Sequence, residues 1–106
     1  MLLTAGPDTS IAQPTPGRVE QVLRSLVASG DDFAILATGD QHYVQTAVVP
    51  GQDVYFDLEY RDGSSDLHYV AADSRPIDEV VDVFLSYLRG DNTWRTRVEW
   101  KRVRQP

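Results

Sequence analysis

The chain has 106 residues, a formal net charge of −6, 42% hydrophobic and 25% charged residues, and no cysteine. That length and composition fit a single domain, residues 1–106, able to bury a core without a metal or disulfide staple. The absence of cysteine excludes a disulfide framework, a thiol nucleophile and any cysteine-held zinc or iron–sulfur site.

The opening Met1–Ser10 has neither a basic start nor a long apolar run, so no signal peptide is expected. No stretch reaches the roughly 18 apolar residues that a membrane span needs, and a cytoplasmic location is expected. The charge is unevenly spread. Residues 1–88 carry 14 acids against 4 arginines, whereas residues 89–106 carry Arg89, Arg95, Arg97, Lys101, Arg102 and Arg104 against Asp91 and Glu99. An acidic body repels a nucleic-acid backbone and attracts basic proteins; the basic tail can pair with that body.

Residues 1–14, punctuated by Gly6, Pro7 and Pro14, read as an irregular arm or a short edge strand. A helix follows, with Thr15 as N-cap, Pro16 in the first position and Gly30 at its end. Val19, Val22, Leu23, Leu26 and Val27 form its apolar stripe. Phe33-Ala34-Ile35-Leu36-Ala37 is a short apolar run before Thr38-Gly39-Asp40 and reads as a buried strand.

Residues 42 to 72 read as three antiparallel strands, joined by tight turns at Pro50-Gly51 and Asp62-Gly63. In the middle strand Val54, Phe56, Leu58 and Tyr60 alternate with Tyr55, Asp57, Glu59 and Arg61, giving one apolar face and one face for water or a partner. For the strand over 42–49, Tyr43/Gln45/Ala47 and Val44/Thr46/Val48 are both plausible inward sets. Asp73-Ser74 and Pro76 open a second helix with Asp78 and Glu79 in its first turn. Its stripe is Ile77, Val80, Val81, Phe84, Leu85 and Leu88, and Arg89-Gly90 ends it. Thr93 to Val103 alternates again, which predicts a last strand with Trp94 and Trp100 facing inward. The expected fold is α+β: a two-layer sandwich of a mainly antiparallel sheet of about five strands, with two helices on one face.

Catalytic signatures are absent from the sequence. His42 and His68 have acids nearby but no metal-ligand spacing, and Ser64-Ser65 lies in a turn without a nucleophile-elbow setting. No phosphate-cradling glycine loop occurs. Asp57 and Glu59 share a strand face at roughly 6–7 Å, but a glycosidase would need a deep cleft around them. The arginines of the tail alternate with the tryptophans, so they do not form a stacking platform for nucleic acid. No cofactor, metal, nucleic acid or membrane is expected. The exposed sheet face is expected to bind a protein partner through Tyr43, Gln45, Tyr55, Asp57, Glu59, Asp66 and His68, with tyrosines as anchors and carboxylates steering.

The succession Tyr43-x-Gln45, Phe56-Asp57-Leu58-Glu59-Tyr60-Arg61-Asp62-Gly63, His68-Tyr69, Phe84-Leu85-x-Tyr87-Leu88-x-Gly90-Asp91, then Trp94 and Trp100, resembles the Imm1 family of bacterial immunity proteins. The first fifteen residues depart from that pattern. The resemblance implies a small α+β protein, encoded beside a polymorphic toxin, that binds the toxin and blocks it inside the producing cell. Such toxins are often nucleic-acid deaminases. The expected partner is therefore a cognate toxin with a basic active-site cleft, bound by a monomer or weak homodimer that is not itself an enzyme. A small regulatory interaction module, or a hydrolase using His68 with Asp57 or Glu59, are the readings from other classes.

Overall fold

The computed structural model describes residues 1–52 and 54–103, and Arg104 of the basic tail lies outside them. In chain order the elements are β1 (Leu2–Ala5), β2 (Thr9–Ala12), α1 (Pro16–Arg24), α2 (Leu26–Ser29), β3 (Phe33–Gly39) and β4 (His42–Val48). Then come β5 (Tyr55–Asp62), β6 (His68–Ala71), β7 (Arg75–Pro76), α3 (Ile77–Arg89), α4 (Thr93–Arg97) and β8 (Trp100–Arg102). The strands form one antiparallel sheet in the order β2-β1-β3-β4-β5-β6-β8, with β7 pairing β5. Among the described residues the sheet has eight strands rather than about five, and the α+β sandwich is as expected.

The first extra strands come from residues 1–14. They form a hairpin, and β1 is not an edge but lies between β2 and β3. Leu3 and Ala5 are buried there, so the alternation of only four residues anchors the segment to the core. The first helix starts as its caps dictate: the Thr15 side chain accepts the Arg18 N–H at 3.2 Å. It does not run unbroken to Gly30. Ser25 Oγ donates to the Gln21 carbonyl at 2.7 Å, the back-bond that bends helices. The chain restarts as α2 and ends on Gly30 in the left-handed region.

Val19, Leu23 and Leu26 join Val80, Val81, Val83 and Phe84 of α3 over the inner sheet face, made by Leu3, Ala34, Leu36, Val44, Phe56, Leu58 and Tyr60. The four helices of the described residues all contribute to this one layer. Thr46 is buried with them and donates its hydroxyl to the Asp57 carbonyl at 2.8 Å. Val44 and Thr46 therefore settle which side of β4 is inward. Val54 departs from the expected inward set: it precedes β5 and is 58% exposed. At the other end of the β4–β5 connection, Gln52 N–H donates to the Val49 carbonyl around Pro50 and Gly51 (φ 80°), a type II turn in which glycine supplies the positive φ. The β5–β6 connection is looser than an Asp62-Gly63 turn. Asp62 N–H still pairs with the Leu67 carbonyl, and the tight bend is Leu67 N–H to Ser64 C=O.

The predicted last strand over 93–103 is wrong in its first half, where the chain forms α4. Trp94 and Val98 are four residues apart, so one spacing serves either a strand alternation or a helical face. The corner before them decides. Asp91 Oδ1 accepts the Thr93 N–H at 3.0 Å and a short bond from Ser86 Oγ–H, and Ser86 Oγ accepts the Trp94 N–H at 3.1 Å. These bonds hold the first turn of α4 against α3. Trp94 and Trp100 still meet on the inner side. Tyr60 stacks on Tyr69 with ring centroids 4.6 Å apart and meets Trp94 and Trp100 edge-on at 4.7 and 4.8 Å. The tail arginines pair with the acidic body: Arg95 with Asp62 at 3.4 Å, with its guanidinium over the Trp94 ring, and Arg97 with Asp82 at 2.7 Å.

Candidate functional site

Among the described residues no helix covers the outer face of the sheet, and register decides which side chains meet there. Gln45 pairs with Glu59, Ala47 with Asp57 and Tyr43 with Arg61 across β4 and β5. On the other side of β5, Glu59 pairs with Val70 and Arg61 with His68. Cross-strand partners stand about 4.5–5.5 Å apart, so Tyr43, Gln45, Asp57, Glu59 and His68 share one continuous surface. Tyr55 is 44% exposed at the start of β5, one strand end away from His68. Asp66 does not belong to the strand face. It sits exposed in the β5–β6 turn, where its carbonyl accepts Arg102 Nε–H at 3.0 Å.

The middle of this surface is organised by a residue outside the expected set. Arg61 Nε donates to His68 Nδ1 at 2.7 Å, and Arg61 Nη1 donates to Gln41 Oε1 at 2.8 Å. Its guanidinium also lies 5.8 Å from the centre of the Tyr43 ring. His68 Nε2 faces Glu59 Oε2 at 3.7 Å. An Nδ1 that accepts from a guanidinium carries no proton, so the ring holds its hydrogen on Nε2, toward Glu59. The signal for Arg61 was present in the sequence, since it follows Glu59 by two residues on the same strand face. Its partners were not, because they depend on register.

This network has two chemical consequences. The His68 Nδ1 lone pair is engaged by Arg61 within the protein. Arg61 is drawn away from Asp57 and Glu59, and among the described residues neither carboxylate is paired with a lysine or arginine. The face is not uniformly acidic, however. Lys101 pairs with Val70 across β6 and β8 and joins Arg61 at the cationic side, opposite Asp57.

Among the described residues no group of three or more His, Asp or Glu is placed to hold a metal ion. His42 Nδ1 lies 3.9 Å from Asp62 Oδ1, both exposed at one end of the sheet. A shallow cleft of about 220 Å³ there is lined by Thr38, His42, Asp62, Tyr87, Asp91 and Arg95. Asp91 is held well below the usual carboxylate range, chiefly by the Ser86 hydroxyl, then by the Arg89 guanidinium and the Thr93 N–H. These bonds secure the α3–α4 corner and leave the carboxylate no proton to donate.

Among the described residues, no helix is long and apolar enough to cross a membrane. No protein-family model, curated protein or solved structure matches this chain.

Proposed function

We propose that this protein is an immunity protein, which binds a cognate toxin one to one and neutralises it by covering a basic active-site cleft. The observation that carries this reading is the uncovered sheet face on which register sets Gln45 beside Glu59 and Ala47 beside Asp57. A flat face with tyrosines and unneutralised carboxylates suits a protein surface better than a small molecule. Carboxylates placed where a nucleic-acid substrate's phosphates would lie compete directly for a basic cleft. The Imm1 resemblance of Phe56–Gly63 and Phe84–Asp91 points to a nucleic-acid deaminase as the toxin and to action in the cytoplasm of the producing cell. The protein acts by stoichiometric binding and not by catalysis, in keeping with His68 being occupied by Arg61.

The test is co-expression with the reading frame immediately upstream. Cell survival only in the presence of this protein, with a 1:1 complex that weakens at high salt, supports immunity by occlusion. Charge reversal at Asp57 and Glu59 together is expected to remove protection. A harmless neighbour that does not bind would sink the reading.

A further inference from the structure

Strand β3 is apolar on both sides. Ala34 and Leu36 point into the core at 0% exposure, while Phe33, Ile35 and Ala37 occupy the outer face, partly exposed and outside the core cluster. A strand of an antiparallel sheet with one wet face alternates apolar with polar, and β5 does so. β3 instead has the composition of a strand covered on both sides, yet among the described residues no helix lies over its outer side. Register extends the apolar patch at its two ends, where Phe33 faces Ala47 and Ala37 lies between Leu2 and Tyr43, while Ile35 lies between Thr4 and Gln45.

A second copy of this chain is a poor cover. Stacking the face on itself about a twofold axis along β4 lays Asp57 and Glu59 over Phe33 and Ile35 of the copy. A twofold axis across the strands at the level of Glu59 instead sets Glu59 against Glu59 and Lys101 against Lys101, since these residues share a row with Ile35 and Val70. Both arrangements bury or oppose like charge, which is costly. A different protein meets both needs by placing apolar side chains over β3 and a lysine or arginine over β5.

We infer that Phe33 and Ile35 are the energetic centre of a heterologous protein interface, with Asp57 and Glu59 as its charged border. The partner surface is then an apolar patch edged by basic residues. This rests on the immunity reading for the partner's identity, but not for its chemistry. Apolar anchors at the middle of an interface set dissociation, whereas bordering charges set association and salt dependence.

Two arms test the inference. If the upstream reading frame supplies a binding toxin, Ile35→Ser and Phe33→Ser are expected to weaken that complex by roughly tenfold or more, mainly through faster dissociation. Asp57→Asn with Glu59→Gln is expected to slow association and flatten its salt dependence. A complex indifferent to the β3 variants, with their melting curves unchanged, overturns the inference and leaves the immunity reading standing. The second arm needs no cognate partner. In amide ¹⁵N–¹H spectra of the intact chain, the peptide Leu-Lys-Leu-Lys-Leu-amide is expected to shift Ile35, Ala47 and Glu59, and Ile35→Ser is expected to abolish those shifts. Equal shifts with Leu-Glu-Leu-Glu-Leu-amide, or shifts confined to the helical side, overturn it.

Discussion

Arg61 and His68, neighbours across β5 and β6, share a 2.7 Å bond in which the guanidinium donates and the imidazole Nδ1 accepts. This fixes the tautomer and turns the Nε2–H toward Glu59. Long-range ¹⁵N–¹H spectra of the histidine ring at neutral pH should therefore show His68 as the Nε2–H form. Replacing Arg61 with Leu should let the other tautomer appear. Losing this bond at a partly buried site should cost about 1 kcal/mol of stability. An Nδ1–H ring in the unaltered protein would refute the arrangement.

Adjacent residues of β3 face opposite ways, so they should respond oppositely to substitution. Leu36 is fully buried beneath the helices, and Leu36→Ala should cost about 2–5 kcal/mol through lost transfer and a residual cavity. Ile35 lies on the uncovered side, and Ile35→Thr should change stability by no more than about 0.5 kcal/mol. Paired urea titrations measure both. A loss at Ile35 approaching that at Leu36 would mean that the outer face is already packed.

Two glycines should also differ in sign. Gly17 sits in the first turn of α1, with nothing within 4 Å of an added Cβ and no positive φ. Gly17→Ala should stabilise by about 0.5–1 kcal/mol, because alanine loses less backbone entropy on folding. Gly90 has equal space but closes α3 at φ 80°. There Gly90→Ala should destabilise by about 1 kcal/mol. Thermal melts of the two variants moving in the same direction would contradict the cap geometry.

How much of this was legible depended on whether a signal was local. The alternation of Phe56, Leu58 and Tyr60, the Thr15-Pro16 start and the Gly90 stop each reside in a few consecutive residues, and each survives in the fold. Thr93 to Arg97 was misread because the Trp94–Val98 spacing satisfies two periods, and the deciding bonds come from Ser86 on the preceding helix. Leu2–Ala5 was too short to declare itself until it lay between β2 and β3. In the candidate site, the outward set on β5 followed from alternation, but the choice of Tyr43 and Gln45 over Val44 and Thr46 needed the core. The Arg61 network needed register, which the four residues between Asp62 and Leu67 set.

Asp91 makes the α3–α4 corner sensitive to acid. Its carboxylate accepts from Ser86 and the Thr93 N–H on one oxygen and from Arg89 on the other, at 2.9 Å for the last. These bonds favour the charged form, so the folded pKa lies below the unfolded value of about 3.9. The resulting stability is fully present above that pH and is lost as pH falls through the folded pKa. Glu79 shifts in the same direction, chiefly through its bond to Arg75, and adds to the loss on the acid side. Urea midpoints measured downward from about pH 5 should therefore fall for the unaltered protein. Asp91→Ala should start lower at neutral pH and fall less over the same range, since it has no proton to take up at this corner. Parallel curves for the two proteins would mean that the Asp91 bonds do not couple to folding, and α4 would then be held by Trp94 packing and the Arg97–Asp82 and Arg95–Asp62 pairs.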